Sequence, residues 1–209
     1  MVALDYPVIW SRIIDYERHP PEWIETLLAR SGSSLIDVGR DRRVLEPVKL
    51  HHPVLQSIFQ RITALRSVSL HEVRAPWKLI CRSFLTHPAP NLEFLNLTTY
   101  SYFDCIYLNP LFADKAPRLR RLHLQRCLID FSSAVLSNLT QLSVSCIAAF
   151  APNSYPNVAR WLRVLKNIPT LRFLTLDTAI SHFTEPEPLP AVDLPHLVLL
   201  TIEIGRAHV

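Results

Sequence analysis

Apolar positions in this chain recur in one short pattern: a leucine, two residues, an apolar residue, one residue, another apolar residue. It occurs as Leu65-Arg-Ser-Val68-Ser-Leu70, Leu92-Glu-Phe-Leu95-Asn-Leu97 and Leu119-Arg-Arg-Leu122-His-Leu124. It returns as Leu139-Thr-Gln-Leu142-Ser-Val144, Leu171-Arg-Phe-Leu174-Thr-Leu176 and Leu197-Val-Leu-Leu200-Thr-Ile202. Successive first leucines are 27, 27, 20, 32 and 26 residues apart, close to the repeat length of leucine-rich repeats, about 20–29 residues. Pro90, Pro117, Pro169 and Pro195 each stand two positions before a first leucine. Proline has no N–H to donate, so it suits the turn that leads into a strand.

The last two apolar positions of each unit alternate with polar ones, which gives a short strand with one buried face. Strands are therefore expected near residues 67–71, 94–98, 121–125, 141–145, 173–177 and 199–203. The first leucine packs into the same core from the preceding turn. Apolar residues at helical spacing lie between the strands: Val54, Leu55, Ile58 and Phe59; Leu79, Ile80 and Phe84; Trp161, Leu162, Val164, Leu165 and Ile168. Strand plus helical return is an α/β unit that cannot bury its own face. Stacked units make a leucine-rich-repeat solenoid, or horseshoe, with a parallel concave sheet and helical returns. Residues between the core positions then point out of the sheet. Phe94, Asn96, Arg121, His123, Gln125, Gln141, Phe173, Thr175 and Asp177 are the candidate partner-binding residues, a polar, charged and aromatic mixture suited to protein recognition. A solvated face, with the partner docked at the rim or on loops, is the alternative.

Composition narrows the function. Hydrophobic residues make up 49% and charged ones 19%, outside the range of disordered chains. Only 3 glycines are present, and no glycine-rich loop exists to bring backbone close to a phosphate. The formal charge is +4. Its densest cluster, Lys115, Arg118, Arg120, Arg121 and Arg126, reads as the solvated edge of a repeat and not as a nucleic-acid footprint. The 4 cysteines, Cys81, Cys105, Cys127 and Cys146, are dispersed, as reduced thiols of a cytoplasmic or nuclear protein would be. The nine histidines lack metal spacing, and no Gly-x-Ser-x-Gly elbow is present. Glu185, Glu187 and Asp193 lie among prolines, as in an exposed loop. No catalytic residue, cofactor or metal is expected, and neither a nucleic-acid nor a membrane partner.

The opening segment differs from the repeats. Pro21 suits the first position of a helix that would place Trp23, Leu27 and Leu28 on one face, and Ser34–Val38 reads as a further strand with Leu35 and Val38 in the apolar places. The stretch Ala3-Leu-Asp-Tyr-Pro7-Val-Ile-Trp10-Ser-Arg-Ile13 is followed by Glu22-Trp23 and by Leu28-Ala-Arg30-Ser31. With the repeats, these motifs resemble the F-box and leucine-rich-repeat proteins of mushroom-forming fungi, in which a Pro-x-Leu-Trp-Ser-x-Ile junction joins the F-box to the repeats. Ile9 replaces the usual leucine. The F-box itself, expected before Ala3, is missing.

The resemblance implies that the repeats hold a protein substrate. It implies a Skp-type adaptor and a cullin as partners only where the F-box is present. Residues 1–20 then correspond to the F-box-to-repeat junction and 21–203 to the leucine-rich repeats. Residues 204–209 read as a non-native tail, because one frame of a common sequencing adapter encodes Ile-Gly-Arg-Ala-His-Val and then stops. The expected function is substrate recognition for an F-box-type ubiquitin ligase receptor. A stand-alone leucine-rich-repeat scaffold or regulatory binding module, unrelated to ubiquitin, is the alternative.

Overall fold

The computed structural model describes residues 6–16, 18–39, 52–71, 84–99, 106–146, 156–181 and 189–203. Its centre is a seven-stranded parallel sheet. The strands are β1 (Ile36–Val38), β2 (Leu65–His71), β3 (Phe94–Thr98), β5 (Arg121–Gln125), β7 (Gln141–Ser145), β8 (Phe173–Asp177) and β9 (Leu199–Glu203), and they lie side by side in chain order. From β2 to β9 the register is unbroken. Val68, Leu95, Leu122, Leu142, Leu174 and Leu200 align, as do Leu70, Leu97, Leu124, Val144, Leu176 and Ile202. All but the β9 pair are buried, and Leu65, Leu92, Leu119, Leu139 and Leu171 join them from the turns. The ladder continues outside the strands: the Arg120 and Arg121 amides donate to Glu93 O, and those of Arg172 and Phe173 donate to Thr140 O. Each unit thus satisfies its backbone through its neighbours.

The returns are mixed. Helices α3 (His52–Phe59) and α4 (Val158–Lys166) form where apolar residues have helical spacing. The Asn157 side chain caps α4 by accepting from Arg160 N at 2.8 Å, and Trp161 Nε1 donates to Ala179 O at 2.9 Å. The expected helix over 79–85 lies outside the described residues except for Phe84 and Leu85, which are helical and buried. The returns on either side of β5 correct the expectation of helices throughout. They carry the short strands β4 (Ile106–Leu108) and β6 (Cys127–Ile129), which pair in parallel, and single-turn 3-10 segments at Phe112–Asp114 and Ala134–Asn138. Cys127, Leu128 and Ile129 are all buried. A continuous apolar run buried on both sides suits a strand, and the 20-residue repeat leaves little chain for a longer helix. Aromatic rings fill the space between returns: Phe59 stacks on Phe84 at 4.0 Å, Phe84 meets Phe112 edge-on at 5.6 Å, and Phe131 lies 4.7 Å from Trp161.

At the N-terminal side, α1 (Pro7–Ser11) and α2 (Pro21–Ser31) pack together. Pro21 occupies the first turn of α2 as expected, but the buried stripe is Ile24, Leu27, Leu28 and Ser31. Trp23 is instead 38% exposed, because the 24-27-28-31 spacing fits the groove over the core. In β1 the buried pair is Ile36 and Val38, while Leu35 is half-buried just outside the strand; two residues on one strand face must be two apart. The sheet edge here is closed. Ile14 bridges Val38 in parallel, and Tyr16 covers the part of β2 that extends past β1. The Tyr16 hydroxyl donates to Ser69 O at 3.1 Å and accepts from His71 N at 3.0 Å. Gly39, at φ 75°, lies where any Cβ would collide with Ser69 O.

Candidate protein-interaction surface

Alternation along six in-register strands leaves one sheet face without core leucines. It forms three rows across the strands. The leading row, nearest the N-terminal ends, aligns Ser67, Phe94, Arg121, Gln141, Phe173 and Leu199. The middle row aligns Ser69, Asn96, His123, Ser143, Thr175 and Thr201, and the trailing row aligns His71, Thr98, Gln125, Ser145, Asp177 and Glu203. All nine candidate residues therefore share one surface, although they come from four separate repeats.

Their exposure differs. Asn96 is 4% exposed, and Ser69 and Thr98 beside it are also buried. Asn96 Nδ2 donates to Ser69 Oγ at 3.0 Å, Thr98 Oγ1 donates to Asn96 Oδ1 at 3.3 Å, and Ser69 Oγ lies 3.1 Å from His71 Nε2. Short side chains on strands about 4.8 Å apart reach one another across the sheet. Asn96 belongs to this internal ladder and is not presented outward as the sequence suggested. His123, Gln125, Thr175 and Asp177 are half-buried, and Asp177 Oδ2 accepts from Ser145 Oγ at 2.8 Å. Arg121, Gln141 and Phe173 are exposed. The Arg121 guanidinium lies over the Phe94 ring, 4.8 Å from its centroid.

A fourth row, one residue before the leading row, was outside the expected set. It comprises Arg66, Glu93, Arg120, Thr140, Arg172 and Val198, and adjacent members are joined by backbone bonds. Arg66 is neutralised by Asp37 of β1, to which Nε donates at 2.9 Å while the second guanidinium nitrogen pairs with Oδ2. This hydrogen-bonded carboxylate raises the Arg66 pKa above its ordinary value. Arg120 donates to the carbonyls of Pro117 and Asn138, and Arg118 to Asn91 Oδ1. Arg172 lies 5.8 Å from the Phe173 centroid. Among the described residues no carboxylate comes within 4.0 Å of Arg118, Arg120, Arg121 or Arg172. The spacing of the pattern could have revealed this row, since each residue follows the first leucine of its unit.

Among the described residues, no group of three or more histidine, cysteine or acidic side chains is arranged to hold a metal ion, and no helix is long and apolar enough to cross a membrane. Cys127 and Cys146 are buried; Cys81 and Cys105, like the tail 204–209 and the acids Glu185 and Glu187, lie outside the described residues. The leading row presents exposed cationic, amide and aromatic side chains in Arg121, Gln141 and Phe173. Comparison of the chain with protein-family models, with curated proteins and with solved structures returns no match.

Proposed function

We propose that the chain is a leucine-rich-repeat solenoid whose open sheet face holds another protein. On this reading it is the substrate-recognition part of an F-box-type ubiquitin ligase receptor. The observation that carries the binding reading is the unbroken register from β2 to β9, which gathers outward residues of every repeat into continuous rows. The ligase reading rests on the Pro7–Ile13 motif and the helix with Glu22-Trp23 and Arg30-Ser31. Of these residues, Trp10 is packed against the core with Arg30 over its ring at 4.8 Å, while Tyr6, Val8 and Ile9 are exposed apolar side chains. That patch is suited to contact with a further packed element.

Co-precipitation tests the ligase reading. The product of the full gene should retain a Skp-type adaptor and cullin together with a client, and the 209-residue chain should retain only the client. Client capture without adaptor or cullin from the full product would favour a stand-alone scaffold. The face itself is tested by Gln141→Glu with Phe173→Ala, exposed changes that should weaken client capture while leaving the melting transition in place.

A further inference from the structure

Resting on that reading of the face, we propose that its leading edge takes an extended segment of the partner protein with acidic residues three to four positions from a bulky apolar one. Arg121 projects from β5 with Arg120 beside it, and neither has a carboxylate within reach among the described residues. Stacking on Phe94 engages only the face of the Arg121 guanidinium. The in-plane N–H fork stays free for bidentate contact with a carboxylate, held in place at low entropic cost.

Along the same row, two and three strands further on, come the exposed Phe173 and Leu199. Strands about 4.8 Å apart put these side chains roughly 10–14 Å from Arg121. An extended segment advances about 3.3 Å per residue, so three to four residues span that distance. Arg172 lies beside Phe173 and offers a second cation next to the apolar end. The contrast with Arg66, compensated by Asp37, marks the unpaired cations as surplus charge. Nucleic acid fits less well. Asp177 and Glu203 stand at the trailing ends of β8 and β9 and would repel a phosphate backbone crossing the sheet.

The test is display selection of a random heptapeptide library on the folded 209-residue chain and on Arg121→Glu/Arg172→Glu and Phe173→Ala variants. The selected pool should carry aspartate or glutamate three to four positions from phenylalanine, leucine or tryptophan. Charge reversal should cut binding of those peptides by about tenfold or more, and Phe173→Ala should remove the apolar preference alone. A pool without acidic preference, or one unchanged by charge reversal, overturns the inference while leaving the face a protein-binding surface. If no heptapeptide is enriched, the reading of the face itself fails. Binding of a mixed-sequence single-stranded DNA 20-mer, lost in the charge-reversed variant, also overturns the inference.

Discussion

The same leucine position should carry very different weight at the middle and at the end of the sheet. Leu122 in β5 is 1% exposed and lies between Leu95 and Leu142 of the flanking strands, both fully buried. Leu122→Ala removes three carbons, which at about 0.8 kcal/mol per buried group is about 2.4 kcal/mol of lost transfer energy. The cavity cannot collapse, because strands on both sides hold the backbone, and the total should fall at about 3–5 kcal/mol. Leu200 is the equivalent residue of β9 but is 51% exposed. Its truncation forfeits about half the transfer energy and opens no sealed cavity, so about 1 kcal/mol is expected. Ser143, on the opposite face of β7, is buried too, at 8% exposure, but its hydroxyl has no hydrogen bond among the described residues, so Ser143→Ala should cost less than about 1 kcal/mol. Urea unfolding followed by far-ultraviolet circular dichroism measures all three, with a midpoint shift on the order of 1–2 M for Leu122→Ala. Equal losses at Leu122 and Leu200 would refute burial by stacked neighbours, and a larger loss at Ser143 would mean that the strand faces are inverted.

Tyr16→Phe strips the sheet edge of a hydroxyl that serves Ser69 O and His71 N; a loss of about 1–3 kcal/mol and faster amide exchange at His71 are expected, and unchanged protection would show that the edge is closed some other way. The Asp130 pKa is lowered, chiefly by the Ser132 hydroxyl hydrogen bond and then by the Ser132 amide. A depressed folded-state pKa contributes stability above the ordinary carboxylate value and loses it as pH falls through the lowered one. Ser132→Ala should therefore raise the Asp130 titration midpoint seen by side-chain carbon NMR and slightly reduce stability above the ordinary carboxylate pKa, with little change in acid. Finally, Val198 and, in β9, Leu199, Leu200 and Ile202 expose apolar side chains along an edge that pairs with no further strand among the described residues, so the 209-residue chain should self-associate. Light scattering should show this fall in Leu200→Lys/Ile202→Lys, and a monodisperse parent chain at high micromolar concentration would contradict it.

The strands were legible because their signal is local. In Leu95-Asn-Leu97 or Leu122-His-Leu124, a two-residue period sets the buried face, and the leucine three positions earlier sets the register. Returns carry no comparable constraint. Cys127-Leu128-Ile129 is apolar at every position, so periodicity does not separate strand from helix there. Ile24 and Trp23 both stand at helical spacing from Leu27, and packing chose the residue without a polar ring nitrogen. Tyr16 has no periodic signal at all. Its role is set by β2 outrunning β1 by three residues, a fact of tertiary length and not of composition.

That the nine residues share one sheet face was legible, but their exposure was not. Alternation assigns Asn96 and Arg121 to the same face, but it is silent on what lies beside each. Ser69, Asn96 and Thr98 are short enough to satisfy one another across two strands, and all three are buried. Arg121, Gln141 and Phe173 are longer than the strand spacing and lack such complements, so they project. Arg120 and Arg172, 52 residues apart in the chain, come to lie two strands apart only when the units stack. A sequence pattern therefore identifies the floor of such a surface, while its rim is written in contacts between repeats. Substitutions along that rim can change its charge without touching a core leucine, and so at little cost in stability.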